Sequence, residues 1–216
     1  MPTADQSPGP APVREIAPGL LHWTAFHPEQ KVVVSSYGVV GPGVLIDPML
    51  PADGVAAFQG RLEPALVLIT NVYHARASAE YAEAFGCAVR CHRAGLDHVR
   101  ESTPAAEPFD HGEAFAGGIE ALDAALADRP DETVLFVPQA GGALTIADIA
   151  LRDGDGPFGY APDGWYGDDP AAAKAEVRAI ARRLCGRDFR HLLLTHGEPV
   201  IDGGRTALQA LADRTD

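Results

Sequence analysis

Short apolar runs rich in β-branched residues recur along the chain and are separated by polar, glycine-rich or proline-rich stretches. Such runs are typical of buried strands, whereas apolar residues at helical spacing indicate helices. The pattern predicts strands at 20–26, 31–40, 44–46, 66–70, 88–90, 119–122, 133–137, 143–146 and 192–194. It predicts helices at 53–60, 77–85, 96–100, 171–184 and 206–211, and loops at 102–111 and 154–170. This order favours a mixed α/β (α+β) fold in which two sheets pack face to face with helices outside.

The length and composition of the chain suit one globular domain. Its 216 residues, of which 46% are hydrophobic, are enough to bury a core. Residues 1–12 contain four prolines and few core-forming side chains, so we expect a disordered lead-in there. This segment also lacks the apolar stretch of a secretory signal. No boundary divides the rest of the chain, so we expect a single domain at 13–216.

The acidic charge argues against two classes of partner. The formal net charge is −13, so the chain repels phosphate backbones and anionic lipid. No apolar run approaches the ~20 residues of a membrane span. We therefore expect no nucleic-acid binding and no membrane binding. The three cysteines form no disulfide framework and fit a reducing compartment, so the predicted location is the cytoplasm.

Polar residues that can carry chemistry follow several of the predicted strands. The strand at 66–70 runs into the polar loop 71–76 and then a helix, which is how α/β proteins place chemical groups at the carboxyl ends of strands. Asp47 follows the strand at 44–46, Asp148 follows the strand at 143–146, and His196 follows the last strand. We therefore expect these strand ends to converge on one edge of the sandwich.

The chain resembles the metallo-β-lactamase superfamily at these positions. In that family the loop after the strand at 66–70 carries Thr-His-x-His-x-Asp-His, which holds one or two metal ions. In this sequence the four ligand positions are occupied by Asn71, Tyr73, Ala75 and Arg76. The loop at 127–131 has no histidine where the family has its third metal histidine, whereas Asp148 and His196 match family ligands. The resemblance implies a four-layer αβ/βα sandwich, from about Val13 to Leu211, that has lost most of its metal ligands.

Two functions are compatible with this resemblance. The first is a non-hydrolytic protein that binds an unknown small molecule or protein and needs no cofactor. Its vestigial pocket would include Asn71, Tyr73, His74, Arg76, Asp148 and His196, and all of these except His74 would form a hydrogen-bonded polar cluster. The alternative is a hydrolase with a reduced mononuclear site for zinc, iron or manganese. In that case His74, one residue out of register with the second family histidine, would join Asp148 and His196 as a two-histidine, one-carboxylate set.

The remaining candidate chemistry is weaker. Four aromatic residues follow Asp148 and could either wall a ligand site or cover the core: Phe158, Tyr160, Trp165 and Tyr166. No serine lies in the context of a nucleophile elbow. Cys87 and Cys91 are about 13 Å apart along a strand, too far to share one tetrahedral ion. The other histidines show no ligand spacing and are expected to be surface or packing residues.

Overall fold

The computed structural model describes residues 8–153 and 156–215. In the first half the strands are β1 Arg14–Ala17, β2 Leu20–His27, β3 Val32–Val39, β4 Val44–Ile46, β5 Leu66–Ile69, β6 Ala88–His92 and β7 Glu107–Phe109. In the second half they are β8 Glu120–Asp123, β9 Thr133–Val137, β10 Ala143–Ile146, β11 Ala150–Leu151, β12 Gly159–Tyr160 and β13 His191–Leu194. The helices are α1 Ser78–Phe85, α2 Leu96–Ser102, α3 Pro170–Leu184 and α4 Gly204–Ala212.

The strands form two main sheets. The larger sheet has seven strands in the order β1-β2-β3-β4-β5-β6-β7, antiparallel from β1 to β4 and parallel from β4 to β7. The smaller sheet has four strands in the order β13-β10-β9-β8, and β10 and β13 are its parallel pair. A short ribbon pairs β11 with β12.

Three layers of buried side chains hold the sandwich together. One layer lies between the two sheets and contains side chains from both of them. A second layer packs the outer face of the large sheet against α1 and α2, and a third packs the outer face of the small sheet against α3 and α4. The architecture is therefore the expected four-layer αβ/βα sandwich.

The run at 66–70 is apolar throughout because β5 is buried on both faces. Alternate residues of a strand point to opposite faces, so Leu68 enters the core between the sheets while Val67 and Ile69 pack towards the helices. The neighbouring strand β4 divides in the same way, with Val44 and Ile46 between the sheets and Leu45 on the helical side. These central strands fix the position of the loops that follow them.

Several predicted elements differ from the observed ones. The helix expected at 53–60 is a short 3-10 turn at Gly54–Phe58. The loop expected at 102–111 contains β7, an edge strand that tolerates Pro108 because one side of it has no partner. The loop expected at 154–170 contains β12 and a 3-10 turn at Asp163–Trp165, while Gly154 and Asp155 lie outside the described residues.

The division into a lead-in at 1–12 and a domain at 13–216 stays a prediction. Residues 1–7 lie outside the described part of the chain. Ala11 donates a backbone hydrogen bond to Thr24 and accepts one from Ala52, so hydrogen-bonded structure begins before Val13. Among the described helices, none is long and apolar enough to cross a membrane.

Candidate metal centre

Loops that follow strands of both sheets meet at one edge of the sandwich. Two backbone hydrogen bonds join the sheets there, from Ser35 N to Thr195 O at 2.8 Å and from Thr133 N to Thr70 O at 2.9 Å. Asp47 contacts Thr70, and Asp148 lies 3.3 Å from His196. The expected convergence of these strand ends is therefore observed.

The imidazole of His74 is held from behind by a buried carboxylate. His74 ends a 3-10 turn, Val72–His74, and is fully buried. Its Nδ1 lies 3.0 Å from Asp47 Oδ2, and Asp47 also accepts hydrogen bonds from the amide of Thr70 at 2.8 Å and from its hydroxyl at 2.5 Å. Asp47 has a φ of 46°, a costly left-handed conformation that recurs where side chains must be aimed at a site.

The second carboxylate, that of Asp148, is positioned by Asn71 and Glu132. Asn71 donates from Nδ2 to Asp148 Oδ2 at 3.0 Å and to Glu132 Oε2 at 3.2 Å. The backbone amide of Asp148 donates to Glu132 Oε1 at 2.9 Å. Because Oδ2 is engaged in this way, the carboxylate is oriented with its other oxygen, Oδ1, towards the two histidines.

Three ligand atoms converge at this point. Asp148 Oδ1 lies 3.4 Å from His74 Nε2 and 3.3 Å from His196 Nε2, and all three atoms lie within 4.8 Å of one another. All three residues are buried. His74 Nε2 and Asp148 Oδ1 face each other as an ion pair but make no directed hydrogen bond among the described residues. Buried polar atoms without a directed hydrogen bond are costly, so this pair calls for an explanation.

A metal ion bound between these atoms would account for their arrangement. Nitrogen and oxygen ligands bind zinc at about 2.0–2.2 Å, so two ligands of one tetrahedral ion lie about 3.3–3.5 Å apart. The two separations to Asp148 Oδ1 match that spacing, and the two Nε2 atoms lie within 4.8 Å of each other. Histidines that bind metals usually direct the other ring nitrogen at a carboxylate, as His74 does towards Asp47. The residues present therefore fit a mononuclear ion.

The charges of the cluster are strongly coupled. Burial opposes protonation of His74, but the carboxylates of Asp148 and Asp47 outweigh it and raise the pKa of this histidine to about 9. Burial also opposes ionisation of Asp148, yet His74 and His196 hold the pKa of this carboxyl well below its usual range. Burial and the negative charge of Asp148 raise the pKa of Glu132 to about 7. Without an ion, the pocket retains a proton between its histidines and carboxylates.

Known structures share this fold at low sequence identity. No family model matches the chain, and no curated protein matches it. A metal-soaked Flv1 flavodiiron core from Synechocystis sp. PCC6803 aligns with a TM-score of 0.69 at 13% identity, over 94% of this chain and 60% of that one. A metallo-beta-lactamase from Pontibacter korlensis aligns with a TM-score of 0.64 at 16% identity, over 94% of this chain and 99% of that one.

The chain has the metallo-β-lactamase fold. A B3 metallo-beta-lactamase with an active-site glutamic acid is a further match, with a TM-score of 0.64 at 14% identity over 95% of this chain and 87% of that one. The chain spans about 60% of the length of the flavodiiron cores that it matches. At these identities the likeness establishes the metallo-β-lactamase fold, and the chemistry of the site must be argued from its own residues.

Two residues of the expected polar cluster lie elsewhere in this metallo-β-lactamase fold. Arg76 donates from Nη1 to the backbone carbonyls of Ser35 at 2.8 Å and Asp47 at 2.7 Å. Burial lowers the pKa of Arg76, an effect that the charges of Asp47 and Asp148 oppose. Tyr73 is 55% exposed, so its side chain is not part of the buried cluster. Asn71, Asp148 and His196 are brought together as expected.

An open cavity of about 610 Å³ reaches the metal-ligand cluster of this fold. Asp148 and His196 line it, together with Tyr73, Arg129 and Trp165. Trp165 packs its ring edge-on against His196, with centroids 5.1 Å apart. Tyr166, by contrast, is buried and donates its hydroxyl to the carbonyl of Ile149, so the aromatic loop serves both the core and the cavity.

Sequence reasoning missed Glu132, which is 1% exposed and bridges Asn71 to Asp148. An acidic residue beside a predicted strand is expected on the surface, and the neighbouring sequence does not contradict that expectation. The one indication that Glu132 belongs to the site was its position directly after the loop in which metallo-β-lactamases carry a metal histidine. That part of the chain contributes a residue to the site here as well, but the residue is a carboxylate that supports Asp148.

Proposed function

We propose that this protein is a metal-dependent hydrolase with a mononuclear site. His74 Nε2, His196 Nε2 and Asp148 Oδ1 would hold the ion. The observation that carries the proposal is the pair of buried atoms His74 Nε2 and Asp148 Oδ1, which make no directed hydrogen bond and lie at the spacing of two ligands of one ion. Three protein ligands leave a position for water, as catalytic zinc sites require.

The donor set suits zinc, iron or manganese. Imidazole is a good ligand for zinc and iron, and a carboxylate extends the choice to manganese. Two histidines and one carboxylate with open positions are also a known arrangement for iron. The likeness to flavodiiron cores supports testing iron beside zinc.

The reaction class follows from the site. A zinc ion held by these residues would lower the pKa of a coordinated water to about 7, and any of the three ions would polarise a carbonyl or phosphoryl oxygen. For an ester, the oxygen of water bonds to the carbonyl carbon, the bond to the leaving oxygen breaks, and the leaving alkoxide takes up the proton of the water. Asp47 keeps the Nε2 of His74 aimed at the centre, and Trp165 shields one side of His196. The substrates of this class are esters, thioesters, lactams and phosphodiesters.

The other expected function, a non-hydrolytic binding protein without a cofactor, is less favoured by this geometry. A vestigial pocket would join its polar atoms by directed hydrogen bonds, because buried groups without them destabilise a fold. Here His74 Nε2 and Asp148 Oδ1 form an ion pair at 3.4 Å without a directed hydrogen bond. Location in the cytoplasm and a small-molecule partner remain part of the proposal.

The test is hydrolysis of nitrophenyl acetate by protein stripped with a chelator and then restored with zinc, iron or manganese. We expect activity to return with metal and to fall by at least ~100-fold in His196→Ala, since one of three ligands is lost. His111→Ala is the matched control, because this histidine lies in a separate cluster with His92. Activity that survives stripping, or that is equal in the two variants, would overturn the proposal.

A further inference from the structure

The cavity at the metal-ligand cluster is bordered by two exposed aromatic side chains. Tyr73 is 55% exposed and Trp165 is 37% exposed, and both line the cavity that contains Asp148 and His196. Among the described residues, four large hydrophobic side chains are exposed to this degree, and the other two are Val33 and Phe85. Half of the exposed large apolar side chains therefore border one concave site, as is typical of ligand-binding pockets.

Both aromatic residues have a hydrogen-bonded backbone and a neighbouring ring. Trp165 lies edge-on to His196, and its carbonyl accepts a hydrogen bond from Arg129 Nη2 at 3.1 Å. Tyr73 lies edge-on to His98, with centroids 6.1 Å apart, and its amide donates to Asn71 Oδ1 at 3.0 Å. Aromatic side chains have few rotatable bonds, so they bind a flat ring with little loss of conformational entropy.

The charges that border the cavity are close to balanced. Arg129 is the one arginine or lysine among the described lining residues. Its guanidinium contacts the carbonyls of Asp148 and Trp165 and lies 3.8 Å from the carboxylate of Asp128. The carboxylate of Asp148 borders the same space, and an ion bound there would offset its charge. The selectivity of the cavity must therefore come from its aromatic side chains.

We propose that Tyr73 and Trp165 together form an aromatic clamp that binds the flat, apolar ring of an aryl ester. This assignment rests on the hydrolase function and narrows its substrates to compounds with an aromatic group.

Binding can be measured without catalysis, using metal-free protein and an uncleavable analogue. The probe is methyl naphthyl ketone, which keeps the ring and the carbonyl group of a naphthyl ester. The chain has two tryptophans, and Trp23 is 1% exposed, so quenching of tryptophan emission reports mainly on Trp165. Isothermal calorimetry provides the affinity for variants that lack this reporter.

We expect the ketone to bind at least ~10-fold more weakly to Tyr73→Ala and Trp165→Ala than to the parent. Phe85→Ala is the matched control, an exposed aromatic residue outside this cavity, and its affinity should equal that of the parent. We also expect cyclohexyl methyl ketone, which keeps the carbonyl group and lacks the aromatic ring, to bind at least ~10-fold more weakly than the aryl ketone. Equal binding by the two ketones, or no loss in the two clamp variants, would overturn the proposal.

The clamp and the hydrolase function fail in different ways. If the ketone binds as expected and metal restores no ester hydrolysis, the clamp stands and the hydrolase function falls. If metal restores hydrolysis and Tyr73→Ala and Trp165→Ala leave the KM for naphthyl acetate unchanged, the clamp falls and the hydrolase function stands.

Discussion

Two clusters in this molecule contain a pair of histidines beside carboxylates, and they differ in every other respect. In the candidate metal centre the ring nitrogens of His74 and His196 converge on one oxygen of Asp148. In the second cluster His92 and His111 stack face to face, with centroids 4.0 Å apart and planes inclined by 20°. Stacked rings direct their nitrogens outwards, so they cannot share an ion.

The partners of the two clusters differ as well. His92 Nδ1 accepts from the amide of Ala94 at 3.3 Å, and His111 Nε2 lies 3.1 Å from the hydroxyl of Thr133. Burial lowers the pKa of both of these histidines, whereas the pKa of His74 is raised to about 9. Similar residue types therefore produce a candidate ligand set in one place and a packing contact in the other, and the direction of the ring nitrogens makes the difference.

The largest contrast is expected from removal of the supporting carboxylates. Asp47→Ala should reduce the free energy of unfolding of metal-free protein by about 3–5 kcal/mol, because it breaks a buried pair with His74 and leaves the donors of Thr70 unsatisfied. Asp123→Ala should cost less than about 1 kcal/mol, since this side chain is 56% exposed beside His111. Urea unfolding measures both values, and similar losses would remove the distinction between the clusters.

A smaller effect is expected on metal affinity from the residues behind the ligands. Asn71→Ala should weaken metal binding by about 10–100-fold, because Asn71 orients Asp148 through its Oδ2. His92→Ala should leave the affinity unchanged. Competition with a chromophoric chelator measures both, and the account fails if the two variants bind metal equally well.

A third contrast concerns the dependence of stability on pH. The pKa of His74 is raised from 6.5 to about 9, so its contribution in metal-free protein is complete below pH 6.5 and is lost as the pH rises through about 9. The pKa of His111 is lowered from 6.5, so its contribution is present above pH 6.5 and declines as the pH falls below that value. Thermal melting over this range should show an alkaline loss that is absent in His74→Gln and an acidic loss that is reduced in His111→Gln. If the melting temperatures of the two variants changed with pH in the same way, the opposite pKa shifts of His74 and His111 would be contradicted.

The sequence was sufficient to predict the layers of the fold because its central strands are buried on both faces. Val67, Leu68 and Ile69 form an unbroken apolar run, and such runs are distinctive. Edge elements were harder to predict. Glu107, Pro108 and Phe109 form β7 through pairing with β6, and their local composition favours a loop.

The site was only partly predictable, because a turn changes which side chain faces inwards. Spacing within the family motif places Tyr73 at a ligand position and leaves His74 one residue out of register. The 3-10 turn that Asn71 caps buries His74 and leaves Tyr73 exposed. Residue spacing in a sequence does not reveal the phase of such a turn. The pairing of Glu132 with Asn71 likewise depends on contacts between residues that are distant in sequence.

The central claim is that His74, Asp148 and His196 hold one metal ion, and metal content tests it most directly. Protein purified without chelator, and dialysed against zinc or iron and then against metal-free buffer, should retain about one ion per chain by elemental analysis. His74→Ala and His196→Ala should retain almost none, while His111→Ala should match the parent. Parent protein without bound metal, or equal metal content in all four proteins, would contradict the account.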